Sequence, residues 1–214
     1  MSTQTTNLTA EQYHIMFETP PPRPTTEQWF EHQAMQYLDA NLGVQADVDR
    51  LHGVLPASGM VLCVFRAFCP EELTELMTHV VVNGKKGRDY FDLDLAPDSL
   101  TNESWVPDGP HLLTDVRDGR DRCNIVPSVS RANIIREGRK EFAVIHLVHW
   151  SIYHGQDVLT HHFLDGLASR HLSNGVPYLG LHKDGQPWLG SRWCDRSDPK
   201  FGAPCAGSVV VPRD

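Results

Sequence analysis

Most signatures that assign a protein to a chemical class are missing from this chain. No run of about 18 apolar residues occurs, so no helix is expected to cross a bilayer and no membrane partner is expected. The opening stretch MSTQTTNLTAEQYH has no basic start and no apolar core, so a secretory leader is not expected either. The cysteines Cys63, Cys69, Cys123, Cys194 and Cys205 are odd in number, scattered, and free of any CxxC pair. They read as reduced cytoplasmic thiols, not as a disulfide framework or a structural zinc knot. There is no HExxH, no G-x-S-x-G elbow and no G-x-G-x-x-G turn, and Gly84-Lys85-Lys86-Gly87 is too short to cradle a phosphate. The zincin, serine-hydrolase and nucleotide-binding classes lose their support, and no cofactor is expected.

Positive charge is scarce too: 19 Lys and Arg stand against 27 Asp and Glu. The deficit is uneven. Residues 1–116 hold 6 basic and 17 acidic side chains, whereas 117–214 hold 13 and 10. Between 117 and 140, Arg117, Arg120, Arg122, Arg131, Arg136, Arg139 and Lys140 outnumber Asp118, Asp121 and Glu137. A local excess of cations in an acidic protein draws in an anion; pairing of these arginines with the acidic half is the competing account. For nucleic acid the total charge is wrong, the basic window is short and aromatic interleaving is missing. No nucleic-acid partner is expected.

What remains is the pattern of a globular protein, 40% hydrophobic and 21% charged over 214 residues. Residues 1–24 read as a polar arm ending in the stiff stretch Pro20-Pro21-Pro22-Arg23-Pro24. From Thr25 the spacing predicts a helix that ends near Gly43, then a short helix over 46–54. MVLCVFR at 60–66 has the length and composition of a buried strand. A helix is expected to open at Pro70-Glu71-Glu72-Leu73, a turn at Gly84-Lys85-Lys86-Gly87, and a strand or loop at Asp92–Leu95. Two hairpins are predicted, one over 111–126 around Asp118-Gly119 and one over 176–193 around Lys183-Asp184-Gly185. Between them a helix from Ser128 to Glu137, closed at Gly138, precedes the long segment 141–160, whose length favours a helix over the strand that the apolar run FAVIHLVHW at 142–150 would also allow. The predicted class is α+β: a single domain, 25–214, of antiparallel hairpins packed against several helices, with the arm outside it.

Histidine is present in excess. Six of the 12 lie close together, at His146, His149, His154, His161, His162 and His171. On a helix turning about 100° per residue, Val144, Ile145, Val148, Ile152 and Leu159 gather as a core stripe. His146, Trp150, Tyr153 and Asp157 line the other side, with His149 beside them. Such a row suits proton handling near neutral pH, with His146 or His149 as base and Tyr153 and Asp157 as its orienters. A structural role for the same histidines competes with this. So does a metal site begun by His146 and His149 at i and i+3. His161, His162 and His171 fit surface or structural roles, and Cys194 reads as a structural thiol.

Ordered fragments give the chain a resemblance. They are His111-Leu112-Leu113-Thr114-Asp115-Val116 with Gly119-Arg120 and Asn124; Pro127; Gly138-Arg139; His154 with Val158-Leu159; Ala168-Ser169-Arg170; Val176-Pro177; and Pro187-x-Leu189-Gly190 before Trp193-Cys194. From about residue 27 onward the chain resembles an uncharacterised, mainly actinobacterial family known only as a domain of unknown function. The resemblance implies a small cytoplasmic α+β protein with no agreed activity, and it places His154 with the family scaffold. Arg120, Arg139 and Arg170 fit the family's pattern. The chain departs from it at Ala143, Val144 and His146, where relatives carry a Thr and an acid, and at Ala168, where they favour Gly. These departures suggest a new site on an old scaffold, so nothing catalytic carries over.

The resulting expectation is a cytoplasmic enzyme performing metal-free acid/base chemistry on a small anionic metabolite: a substitution, elimination or ring closure. Actinobacterial specialised metabolism is the setting the resemblance implies. Arg117, Arg120, Arg122, Arg139 and Arg170 are the expected substrate-binding set. Two alternatives stay open: a non-haem metal enzyme using His146 and His149, and a non-catalytic binding or assembly subunit of a hetero-oligomer. A protein partner or a homo-oligomer is compatible with these readings.

Overall fold

A computed structural model describes residues 24–66, 72–88, 100–171 and 175–212. The expectations for the arm up to Arg23, for Pro70-Glu71 and for Asp92–Leu95 fall outside the described residues. Helix α1 (Thr26–Asp39) opens with a capping box. The Thr25 hydroxyl accepts the Gln28 amide at 3.2 Å, and the Gln28 side chain accepts the Thr25 amide at 2.9 Å. After α2 (Gln45–His52) comes the fully buried strand β1 (Val61–Val64), then a single turn of helix, α3 (Leu73–Met77). Strands β2 (Val81–Val82) and β3 (Lys85–Lys86) pair around Asn83-Gly84, both with positive φ. The two lysines therefore lie on a strand, and the turn sits just before them.

Strand β4 (Leu100–Asn102) later pairs with β8 (Ser169–His171). Strand β5 (His111–Thr114) is the centre of a three-stranded antiparallel sheet, flanked by β1 and by β13 (Ser208–Val210). The hairpin expected over 111–126 does not form. Both edges of β5 are already filled by strands from distant parts of the chain, so no edge is open to a returning segment. Gly119, at φ +81°, instead starts a 3₁₀ turn over Arg120–Arg122. Helix α4 (Pro127–Arg136) begins on a proline, and left-handed Gly138 follows its end. The short β6 (Lys140–Glu141) pairs with β12 (Cys205–Ala206).

A second sheet runs β10-β9-β7-β11. Its hairpin of β9 (Val176–Leu181) and β10 (Pro187–Arg192) turns at the expected Lys183-Asp184-Gly185. Strand β7 (Phe163–Asp165) continues the sheet, and β11 (Phe201–Gly202) adds a parallel edge. Helices with mainly antiparallel sheets make this an α+β protein. Among the described residues no helix is long and apolar enough to cross a membrane.

Helix α5 (Val144–Leu159) runs through the middle and packs on β1, β2, β7, β9, α1 and α3. Only Gln156 and Asp157 are exposed along it. The division into a core stripe and an open histidine face therefore gives way to a helix covered on every side over its first two turns, as its nearly continuous apolar start requires. Each fully buried aliphatic, such as Leu147 or Val148, stabilises by about 1.5–3 kcal/mol.

Candidate functional site

His146 sits in the third position of α5 and has no exposed surface. Its Nδ1 accepts the Ala143 amide at 2.9 Å, which places the ring proton on Nε2. That Nε2–H donates to Nε2 of His111 on β5, 2.9 Å away, and His111 Nδ1–H donates to the Gly109 carbonyl at 2.7 Å. The pair thus satisfies all four ring nitrogens while both rings are neutral. Burial, reinforced by His111 and His149, holds the His146 pKa well below the ordinary histidine value; burial also lowers that of His111. Trp105 stacks on His146 with ring centroids 5.8 Å apart. His149 donates from Nδ1 to the Ile145 carbonyl at 2.9 Å, and burial brings its pKa down to about 4.

Tyr153 is also buried. Its hydroxyl has no hydrogen-bond partner among the described residues, and burial raises its pKa. It borders a cavity of about 430 Å³, while Asp157 borders one of about 700 Å³ on the other flank of α5. The four residues expected to form one catalytic row are therefore dispersed: two in the core and one beside each cavity.

The arginines separate in the same way. Arg122 is nearly buried between Asp121 at 3.1 Å and Glu137 at 2.6 Å. Arg139 is held by the Asp115 carboxylate and by Cys205 Sγ at 3.2 Å. Arg170 lies 3.7 Å from Glu103, to which Arg131 also binds. Arg122 and Arg139 tie the chain together, and pairing with acids accounts for most of the basic stretch. Only Arg117 and Arg120 of the expected set reach the larger cavity.

Trp29 from α1, Trp150 and Val158 from α5, and Met60 and Val116 make the apolar walls of that cavity. Its charged rim is the loop Arg117-Asp118-Gly119-Arg120-Asp121, together with Asp157. Gly119 fixes this loop. A Cβ there would lie 2.4 Å from the Ala203 carbonyl carbon and 2.5 Å from Pro204 N, contacts only glycine avoids. His162 adds a 2.9 Å bond from Nε2 to the Asp118 carbonyl. Asp118 lies 3.7 Å from Arg120, and Asp121 pairs with Arg122. Arg117 and Asp157 are left without an ion-pair partner among the described residues.

His154 completes the wall. It is 9% exposed and lies edge-on to Trp29, close to Trp150 (centroids 4.3 Å apart) and stacked with His32. Its Nε2 is buried with no hydrogen-bond partner among the described residues. Burial, then the neighbouring His32, pushes its pKa down to about 3, so the ring is neutral at pH 7. Sequence reasoning left His154 with the scaffold. The signal that finds it is Trp150-x-x-x-His154, one helical turn apart on the flank that carries Asp157.

Among the described residues, no group of three or more His, Cys, Asp and Glu side chains is arranged to hold a metal ion. Compared with known proteins, the chain matches no family model, no curated protein and no solved structure.

Proposed function

We propose that the chain binds a small, largely apolar organic anion in the cavity between α1 and α5. In this reading Arg117 contacts the anionic group, and Asp157 is the side chain that exchanges a proton with the ligand. One observation carries it: on the charged rim of a cavity with apolar, Trp-bearing walls, Arg117 and Asp157 are the charged groups left without an ion-pair partner among the described residues. A volume of about 700 Å³ suits a small organic molecule. A guanidinium binds carboxylate, sulfonate or phosphate groups through paired, charge-assisted hydrogen bonds.

Acid/base chemistry needs a proton acceptor within reach of the ligand. Asp157 borders the cavity, whereas His146 and His149 do not. His154 stands in the cavity wall as a neutral ring with its Nε2 buried. An elimination, or a ring closure begun by loss of a proton from the bound anion, would pass that proton to the Asp157 carboxylate.

The test is a titration with 8-anilinonaphthalene-1-sulfonate, followed by its own emission and by quenching of the cavity tryptophans. Losing a charge-assisted hydrogen bond costs about 1.5–3 kcal/mol, so Arg117→Ala is expected to weaken binding roughly ten- to hundredfold. The uncharged analogue N-phenyl-1-naphthylamine is expected to bind both proteins alike. Asp157→Asn, which removes a repelling carboxylate, leaves sulfonate affinity unchanged or raises it. Equal affinity of Arg117→Ala and the parent chain for the sulfonate would reject the reading.

A further inference from the structure

We infer that the ligand of the larger cavity is a zwitterion, an amino acid with an aromatic side chain, which rests on the anion reading of that site and names its substrate class. The rim sets the charges. Arg117, Asp118, Arg120, Asp121 and Asp157 border the cavity, so carboxylates outnumber guanidiniums there. Asp118 lies 3.7 Å from the Arg120 guanidinium and accepts the Arg120 amide at 3.0 Å. Both Asp121 carboxylate oxygens accept from Arg122 Nη1 at 3.1 Å. Those contacts are local to the loop. Arg117 and Asp157 remain, one charge of each sign, without an ion-pair partner among the described residues. Both residues are exposed, so a ligand reaches either one without opening the fold.

A simple anion answers Arg117 and leaves Asp157 beside it as a like charge. A phosphate monoester fares worse, since it brings a second negative charge to a rim already in carboxylate excess. A molecule with one carboxylate and one ammonium answers both groups. The guanidinium takes the carboxylate through charge-assisted N–H bonds, and the Asp157 carboxylate accepts from the ammonium, which has only donors to offer. Asp157, the proton partner in the anion reading, thus meets the ligand at an N–H group. The walls select what carries the two charges. Trp29 is only partly buried and presents indole surface to the cavity, and Met60, Val116 and Val158 continue it as apolar surface. An aryl ring packs on an indole by offset or edge-on contact, a gain beyond the apolar area it buries. A volume of about 700 Å³ has room for such a side chain. The buried His154 Nε2 takes no part.

The experiment titrates the full chain by calorimetry with three probes of one shape: L-phenylalanine, 3-phenylpropionate, which lacks the ammonium, and 2-phenylethylammonium, which lacks the carboxylate. L-Phenylalanine is expected to bind one-to-one and about five- to tenfold more tightly than phenylpropionate, a gain between that of an exposed ion pair and that of a charge-assisted hydrogen bond. Asp157→Asn is expected to abolish this advantage while leaving phenylpropionate affinity unchanged or raising it. A loosened cavity cannot produce that divergence, because it would weaken both ligands. Arg117→Ala is expected to weaken phenylalanine and phenylpropionate alike and to spare phenylethylammonium. No saturation with phenylalanine, equal affinity for phenylalanine and phenylpropionate, or an Asp157→Asn chain that keeps the advantage would overturn the proposal. Any of these can occur while sulfonate binding still depends on Arg117, in which case the anion reading stands; loss of that dependence is the separate failure of the anion reading.

Discussion

The two halves of α5 carry the same residue type under opposite conditions. His146, near the start, is fully buried, and its two nitrogens are used by the Ala143 amide and by His111. His154, two turns later, has a buried nitrogen without a partner among the described residues and sits in the wall of a cavity. A buried histidine with a complete bonding set is part of the scaffold, since it has nothing left to offer a ligand. An incomplete set in a cavity wall marks a ring that the scaffold's bonding does not fully use. Histidine density drew attention to the helix; bonding state separates its residues by role.

The sharpest way to break this comparison is to remove each ring. His146→Ala opens a hole in the core and strands the Ala143 amide and His111 Nε2. A loss of about 3–5 kcal/mol is expected from these two effects together. His154→Ala, at a cavity edge, is expected to cost roughly 1–2 kcal/mol and to change sulfonate affinity at the larger cavity. Urea unfolding of both variants checks the order, and equal losses would end the distinction.

Acid sharpens it further. His149 and His154 titrate at about 4 and about 3 in the folded chain. Both values lie below the roughly 6.5 of an unfolded chain. Above that pH the rings are neutral in both states and their full stabilisation is present. As the pH falls below it, the unfolded chain takes up protons that the folded chain refuses. Each ring then removes up to about 1.4 kcal/mol per pH unit until its folded pKa is reached. Asp165 acts in the opposite sense. Burial, opposed by Arg192, raises its pKa to about 6, so protonation below that value relieves a cost. The histidines outnumber it, and stability is expected to fall steeply between about pH 6.5 and 4. His154→Gln should reduce that slope by close to one proton, measurable from urea midpoints across the range. An unchanged slope would show that His154 is not held neutral by its surroundings.

Much of the frame was legible because its causes are local. Thr25 and Gln28 cap α1, Asp184-Gly185 turns the β9–β10 hairpin, and Pro127 and Gly138 bracket α4. The Asp118-Gly119 pair carries the same hairpin signal and gives a 3₁₀ turn, because β1 and β13 had already taken both edges of β5. That competition involves segments far apart in sequence. The candidate site was half legible for the same reason. Arg117, Arg120 and Asp157 were among the expected residues, but the walls at Trp29 and Met60 come from far upstream. Which arginines stay unpaired depends on Asp115, Glu103 and Glu137, whose positions only the fold fixes.

The smallest expected effect on stability tests the other side of the comparison. Arg117 and Asp157 are exposed, and neither has an ion-pair partner among the described residues, so neither holds elements of the fold together. Arg117→Ala and Asp157→Asn are each expected to change unfolding stability by no more than about 0.5 kcal/mol. Over the same pair, sulfonate affinity falls with the first and holds or rises with the second. Scaffold positions cannot give that combination, because a residue that organises the cavity through the fold would lose stability and affinity together. A stability loss in Arg117→Ala approaching that of His146→Ala would move Arg117 into the scaffold and leave the cavity without its anion contact.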